Sequence, residues 1–92
     1  MDKKKQLIEQ IKIVLNHLKN DYGNEIKNGV LQLIYNRYKN ALEILESNRN
    51  IKGININGGT RAYLDSYSDY QNPLLGELYK AEKLNEELLL EN

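Results

Sequence analysis

Residues 58–75 read GGTRAYLDSYSDYQNPLL, and whether a helix lies inside them decides how the chain closes. With a helix here the two chain ends come together. Without one they lie at opposite ends of the domain. The Gly58-Gly59 pair suits a hinge, since glycine alone takes positive φ without steric cost. With Thr60 as N-cap, a short helix over 60–70 sets Tyr63, Tyr67 and Tyr70 at i, i+4 and i+7 on one face. Arg61, Asp65 and Asp69 then follow at four-residue steps on the opposite face. Pro73 holds Asn72 out of the α region, so Asn72 caps a further helix with Pro73 in its first position.

Working outward, that last helix runs over 73–90, with Leu74, Leu75, Leu78, Ala81, Leu84, Leu88 and Leu89 as its apolar face. Asn85 falls in the middle of the face. It is either a buried polar residue that fixes register or a partly exposed one near a frayed end. Leu90 lies outside the stripe, which makes this helix more apolar than one core needs.

Upstream, residues 3–22 form an amphipathic helix on Leu7, Ile8, Ile11, Val14, Leu15, Leu18 and Tyr22, with Asp2 as N-cap and Gly23 in the left-handed position past its end. A second helix over 24–47 is apolar around more than half its circumference, so it should meet more than one neighbour and sit centrally. Gly29 inside it would permit a close crossing. Arg37 falls within its apolar arc, where it either snorkels to the edge or is buried and needs a carboxylate. The stretch NRNIKGININGG breaks the helical period. It reads as an extended connector over 48–59 pinned by Ile51, Ile54 and Ile56, since one strand alone has no partner.

The expected fold is therefore all-α: one small antiparallel helical bundle of three long helices and one short (about 3–22, 24–47, 60–70 and 73–90). Lysines 3–5 open the first helix and acids close the last, each sign opposing its own helix macrodipole. An up-down-up-down arrangement brings those ends together, where the opposed charges offset.

Composition narrows the chemistry. At 92 residues the chain holds a single domain with one modest core. Thirteen basic and thirteen acidic residues balance, which removes the footprint of a general nucleic-acid binder. The absence of cysteine excludes disulfides, thiolate catalysis and cysteine zinc sites. His17 is the only histidine and projects outside the apolar stripe, so a surface role is expected of it. No apolar run approaches the roughly 20 residues of a membrane helix, and the start, MDKKKQLIEQIKIVL, is a poor signal peptide. A soluble, cytoplasmic protein is the expectation. Abundant Asn, Lys, Ile and Tyr reflect AT-rich codons, so tyrosine content alone marks no surface.

The stretch 58–75 fits several kinds of chemistry. Its tyrosines suit packing on the bundle with hydroxyls at the margin, and its charges suit a solvated face. The N–H groups of Gly58, Gly59 and Thr60, with Arg61, also resemble an anion or phosphate site at a helix start, although no P-loop lysine follows. A calcium loop from Asp65 and Asp69 fails, because Tyr67 stands where an oxygen ligand is needed. Arg61, Asp65, Asp69, Tyr63, Tyr67 and Tyr70 together suit a protein-binding face, since Tyr and Arg anchor interfaces. Catalysis is hard to assemble. Asp65 and Asp69 lie on neighbouring turns with nothing to separate their pKa values, and Ser66 and Ser68 have no base nearby. No cofactor, metal or enzymatic activity is expected.

The segments TRAYLDSYSDYQNPLL and KAEKLNEEL, about a third of the chain, resemble the C-terminal half of small uncharacterised helical proteins of low-GC Gram-positive bacteria. That resemblance implies no activity. In size and helix number the chain is also similar to bacteriocin immunity proteins, which are antiparallel four-helix bundles, and this implies an immunity-like role as an alternative. The leading expectation is a non-enzymatic adaptor, inhibitor or regulatory module that binds a protein partner and self-associates.

Overall fold

The computed structural model describes residues 2–23, 29–47, 49–67 and 71–91. Four α-helices follow one another: α1 (Lys3–Tyr22), α2 (Gly29–Glu46), α3 (Gly59–Tyr67) and α4 (Pro73–Glu91), with a 3-10 turn at Ile51–Gly53 between α2 and α3. All regular structure among the described residues is helical. Residues 24–28 and 68–70, which the expected second and third helices include, lie outside the described residues.

The pairing of α1 with α4 is the most extensive in the molecule. Three contacts run along it: Lys3 with Glu87, Gln10 with the backbone oxygen of Glu77, and Tyr22 with Asn72. Residue numbers rise in α1 as they fall in α4, so the two run antiparallel. Helices of 20 and 19 residues extend about 30 Å, close to the 34 Å long axis of the molecule. They therefore form its full-length spine. α2 packs on α1, and α3 rests on both α2 and α4. The broad apolar face of α2 meets more than one neighbour, as expected: α1, α3 and the 3-10 turn.

The core is built from the expected stripes. Leu7, Ile11, Val14 and Leu18 of α1 meet Leu31, Ile34, Tyr38, Ala41 and Leu45 of α2, together with Leu74, Leu78 and Ala81 of α4. Ile54 and Ile56 are buried against them while Lys52, Gly53 and Asn55 stay exposed, so alternate isoleucines pin the connector. Its first part is not extended as expected. Asn50 accepts from the Lys52 N–H and caps the 3-10 turn.

Local chemistry sets the helix ends. Asp2 Oδ1 accepts from the Lys4 N–H at 3.0 Å and caps α1. Lys3 Nζ lies 3.0 Å from Glu87 Oε1. A cation at the start of α1 and an acid near the end of α4 thus compensate each other, although each opposes its own dipole. Two glycine expectations are corrected. Gly23 leaves α1 at φ −17° rather than in a left-handed conformation. Gly29 is not a crossing point, because an added Cβ there would meet nothing within 4 Å; its φ of +64° marks the beginning of α2.

Two candidate buried polar residues separate. Arg37 is half-buried and makes no hydrogen bond or ion pair among the described residues. Leu33, on the far side of it, is itself exposed, so the apolar arc ends where Arg37 stands. Asn85 is only 1% exposed, and neither of its amide atoms has a hydrogen-bond partner among the described residues. Burying an unbonded amide is unfavourable. Asn85→Leu should therefore raise stability by about 1–2 kcal/mol, read as a higher urea midpoint at unchanged slope. A lower midpoint would show that the amide is bonded after all.

Candidate functional site

The stretch 58–67 meets α4 through one carboxylate. Glu82 Oε1 accepts from the Gly58 N–H at 2.9 Å, and Oε2 accepts from the Thr60 N–H at 2.9 Å and the Thr60 hydroxyl at 2.5 Å. The Gly59 N–H turns back to Ile56 O at 3.3 Å, and Ala62 N–H to Gly58 O at 2.9 Å starts the helix. Helix α3 thus begins at Gly59, and Thr60 lies in its first turn rather than at the N-cap. Gly58 has φ +89°, a conformation that a side chain would strain. Of the donors expected to hold an external anion, the Gly58 and Thr60 N–H groups bond the chain's own Glu82, which sits in the positive end of the α3 dipole, and the Gly59 N–H bonds Ile56 O.

Tyr38 of α2 lies beneath this contact. A Cβ added to Gly59 would meet Tyr38 Cε1 at 3.8 Å and Glu82 Oε2 at 4.0 Å, so ring and carboxylate border the same backbone. The Tyr38 hydroxyl is buried without a hydrogen-bond partner among the described residues. Burial pushes its pKa far above the ordinary 10.0, and the negative charge of Glu82 adds to the effect.

The tyrosine face resolves into a clasp. Tyr63 is 1% exposed, and its hydroxyl lies 2.7 Å from that of Tyr22 at the end of α1. The Asn72 amide donates to both hydroxyls, at 2.9 Å for Tyr63. Its carbonyl accepts from the Leu74 N–H at 2.9 Å and caps α4 as expected. One asparagine therefore ties α1, α3 and α4 together. Tyr67 stacks on Tyr63 with ring centroids 5.0 Å apart yet is 42% exposed, so it belongs to both interior and surface.

Arg61 and Asp65 are exposed on the other side of α3 and form no ion pair with each other. Asp69 and Tyr70 lie outside the described residues. His17 Nδ1 stands 3.4 Å from Asp21 Oδ2 on α1. Among the described residues no group of three or more His, Asp or Glu could hold a metal ion, and no helix is long and apolar enough to cross a membrane. Sequence reasoning missed Glu82, Tyr38, the hydroxyl-binding role of Asn72 and the buried Gln10. For Gln10 a signal existed: it stands three residues after Leu7 and four before Val14, within the α1 stripe.

Over residues 1–92 the chain matches the family described as YeeD uncharacterised protein. It is also similar to the uncharacterized protein YeeD of Bacillus subtilis (strain 168), at 34% identity over 95% of this chain and 93% of that protein. No solved structure matches. The chain belongs to the YeeD family.

Two outcomes follow from the geometry around Glu82. Glu82→Ala removes three hydrogen bonds to a charged acceptor and should cost about 2–4 kcal/mol. Glu82→Gln, which keeps an acceptor, should cost less. Amide hydrogen exchange should show α3 opening first, and equal loss of protection in all helices would count against this. For Tyr38, the folded state holds the proton above the ordinary pKa, so its contribution to stability is complete below pH 10 and is lost as pH rises beyond it. The expected fall is up to about 1.4 kcal/mol per pH unit. Tyr38→Phe should remove that part of the alkaline slope and, at neutral pH, stabilise by about 1 kcal/mol. Urea titrations across the alkaline range of both proteins measure it.

Proposed function

We propose that this member of the YeeD family is a soluble, cytoplasmic protein-binding module whose four helices form an antiparallel bundle, with no chemistry of its own. One observation carries the reading: the Gly58 and Thr60 donors at the start of α3 and the hydroxyls of Tyr22 and Tyr63 are used within the chain. Glu82 holds the α3 donors and Asn72 holds the tyrosine hydroxyls. What remains outward is Arg61, Asp65 and Tyr67 on α3, with Tyr79 and Leu90 on α4. Tyrosine and arginine are the side chains that anchor protein contacts. The antiparallel run of α1 and α4, and the bridge between Lys3 and Glu87, support the bundle arrangement.

Capture from native cytoplasm with a photo-crosslinking residue at Tyr67 or Tyr79 tests the module reading. Discrete protein adducts are expected, reduced by Arg61→Ala or Leu90→Glu while the thermal transition stays unchanged. If neither position gives an adduct, not even with another copy of the chain, the module reading fails.

A further inference from the structure

Helix α4 carries a second stripe on its outer side. Tyr79, Lys83, Glu86 and Leu90 recur at steps of four, three and four residues, and at 100° per residue they fall within about 60° of the circumference. Leu90 is 81% exposed and Tyr79 59%, more than any other large hydrophobic residue of the described chain. A groove of about 390 Å³ is lined by Tyr79, Lys83, Glu86 and Leu90 of the stripe, together with Glu82, Glu87 and Asn57.

The charges along α4 are unequally used. Glu77 pairs with Lys80 at 3.4 Å, Glu82 is bound to the start of α3, and Glu87 pairs with Lys3. Lys83 and Glu86 alone among the described ionised side chains of α4 have no ion pair or hydrogen bond, although they stand within a turn of each other. They are the two charges on the stripe between Tyr79 and Leu90, and Glu82 and Glu87 flank them in the groove.

We propose that this stripe is the contact surface for a second copy of the chain, packed antiparallel about a two-fold axis. The proposal rests on the protein-binding reading above and names the partner. With the axis between residues 84 and 85, Tyr79 meets the partner's Leu90 and Lys83 meets the partner's Glu86, each contact occurring twice. The surface is thus its own complement, as an isologous interface requires. A parallel pairing sets lysine on lysine and glutamate on glutamate, so the charges select the antiparallel one. The same register brings Glu82 towards the partner's Glu87; Glu87 is paired with Lys3 of its own chain, and Glu82 is hydrogen-bonded to the start of α3. A single helical stripe buries less than the roughly 1,200 Å² of a standard interface, so the dimer is weak and reversible.

Sedimentation equilibrium of the intact chain, from micromolar to millimolar concentration, reads the outcome. The mass should rise towards twice that of the chain. Leu90→Glu and Lys83→Glu should each weaken association by at least about tenfold, with circular dichroism and the thermal transition unchanged. The combined exchange Lys83→Glu with Glu86→Lys should restore association to near the original strength, since it rebuilds both opposite-charge contacts. A chain that stays monomeric at millimolar concentration overturns the proposal, as does association indifferent to Leu90→Glu or not restored by the charge exchange. If the chain is monomeric yet a crosslinker at Tyr79 captures a different protein, the self-pairing is wrong while the module reading stands.

Discussion

The contact on which the architecture depends is the carboxylate of Glu82 at the start of α3. A nine-residue helix is too short to persist alone in water. Two backbone donors and one hydroxyl converge on a single side chain of α4, and the partial positive charge of the helix end meets a full negative one. That attachment makes α3 a wall of the core. It then presents Tyr63 to Tyr22 and Asn72, and it covers the ring of Tyr38. Without it the connector from residue 49 onward would be held by its isoleucines alone.

The helices were legible because burial imposes a 3.6-residue period on the residues that meet it. Leu7, Ile11, Val14 and Leu18 of α1, and Leu74, Leu78 and Ala81 of α4, reach the core as their spacing implies. The start of α4 was legible for a different reason: Pro73 restricts Asn72 by sterics alone, whatever the tertiary context. What escaped reading is long-range. Glu82 lies 22 residues beyond Thr60, and a helical wheel shows only that it flanks an apolar face. Of the two alternatives for Arg37 the fold takes the edge position: it is half-buried, beside an exposed Leu33. Glycines 23 and 29 were assigned from type, and type does not distinguish a positive φ from an ordinary one.

The candidate site was legible as a location and not as a mechanism. Within residues 58–75, Gly58, Thr60, Tyr63 and Asn72 form hydrogen bonds to side chains of α1, α3 and α4. The Gly58 and Thr60 N–H groups bond Glu82 of the same chain, and the two described tyrosines of that face divide into a buried Tyr63 and a half-exposed Tyr67. Sequence spacing placed these side chains on one face but held no information on which neighbour covers how much of it.

The two ends of the α1–α4 pair are fastened by different physics. At one end stands the bridge of Lys3 and Glu87, whose side chains are each more than a third open to solvent. Mobile ions within a Debye length, about 8 Å at physiological ionic strength, screen such a pair. At the other end Tyr22, Tyr63 and Asn72 are joined by hydrogen bonds between uncharged groups, on which an ionic atmosphere has little purchase. Ionic strength therefore acts on the bridge of Lys3 and Glu87 more than on the contact of Tyr22, Tyr63 and Asn72. As salt rises, the pairing of Lys3 with Glu87 weakens first, while the hydrogen bonds of Tyr22, Tyr63 and Asn72 persist.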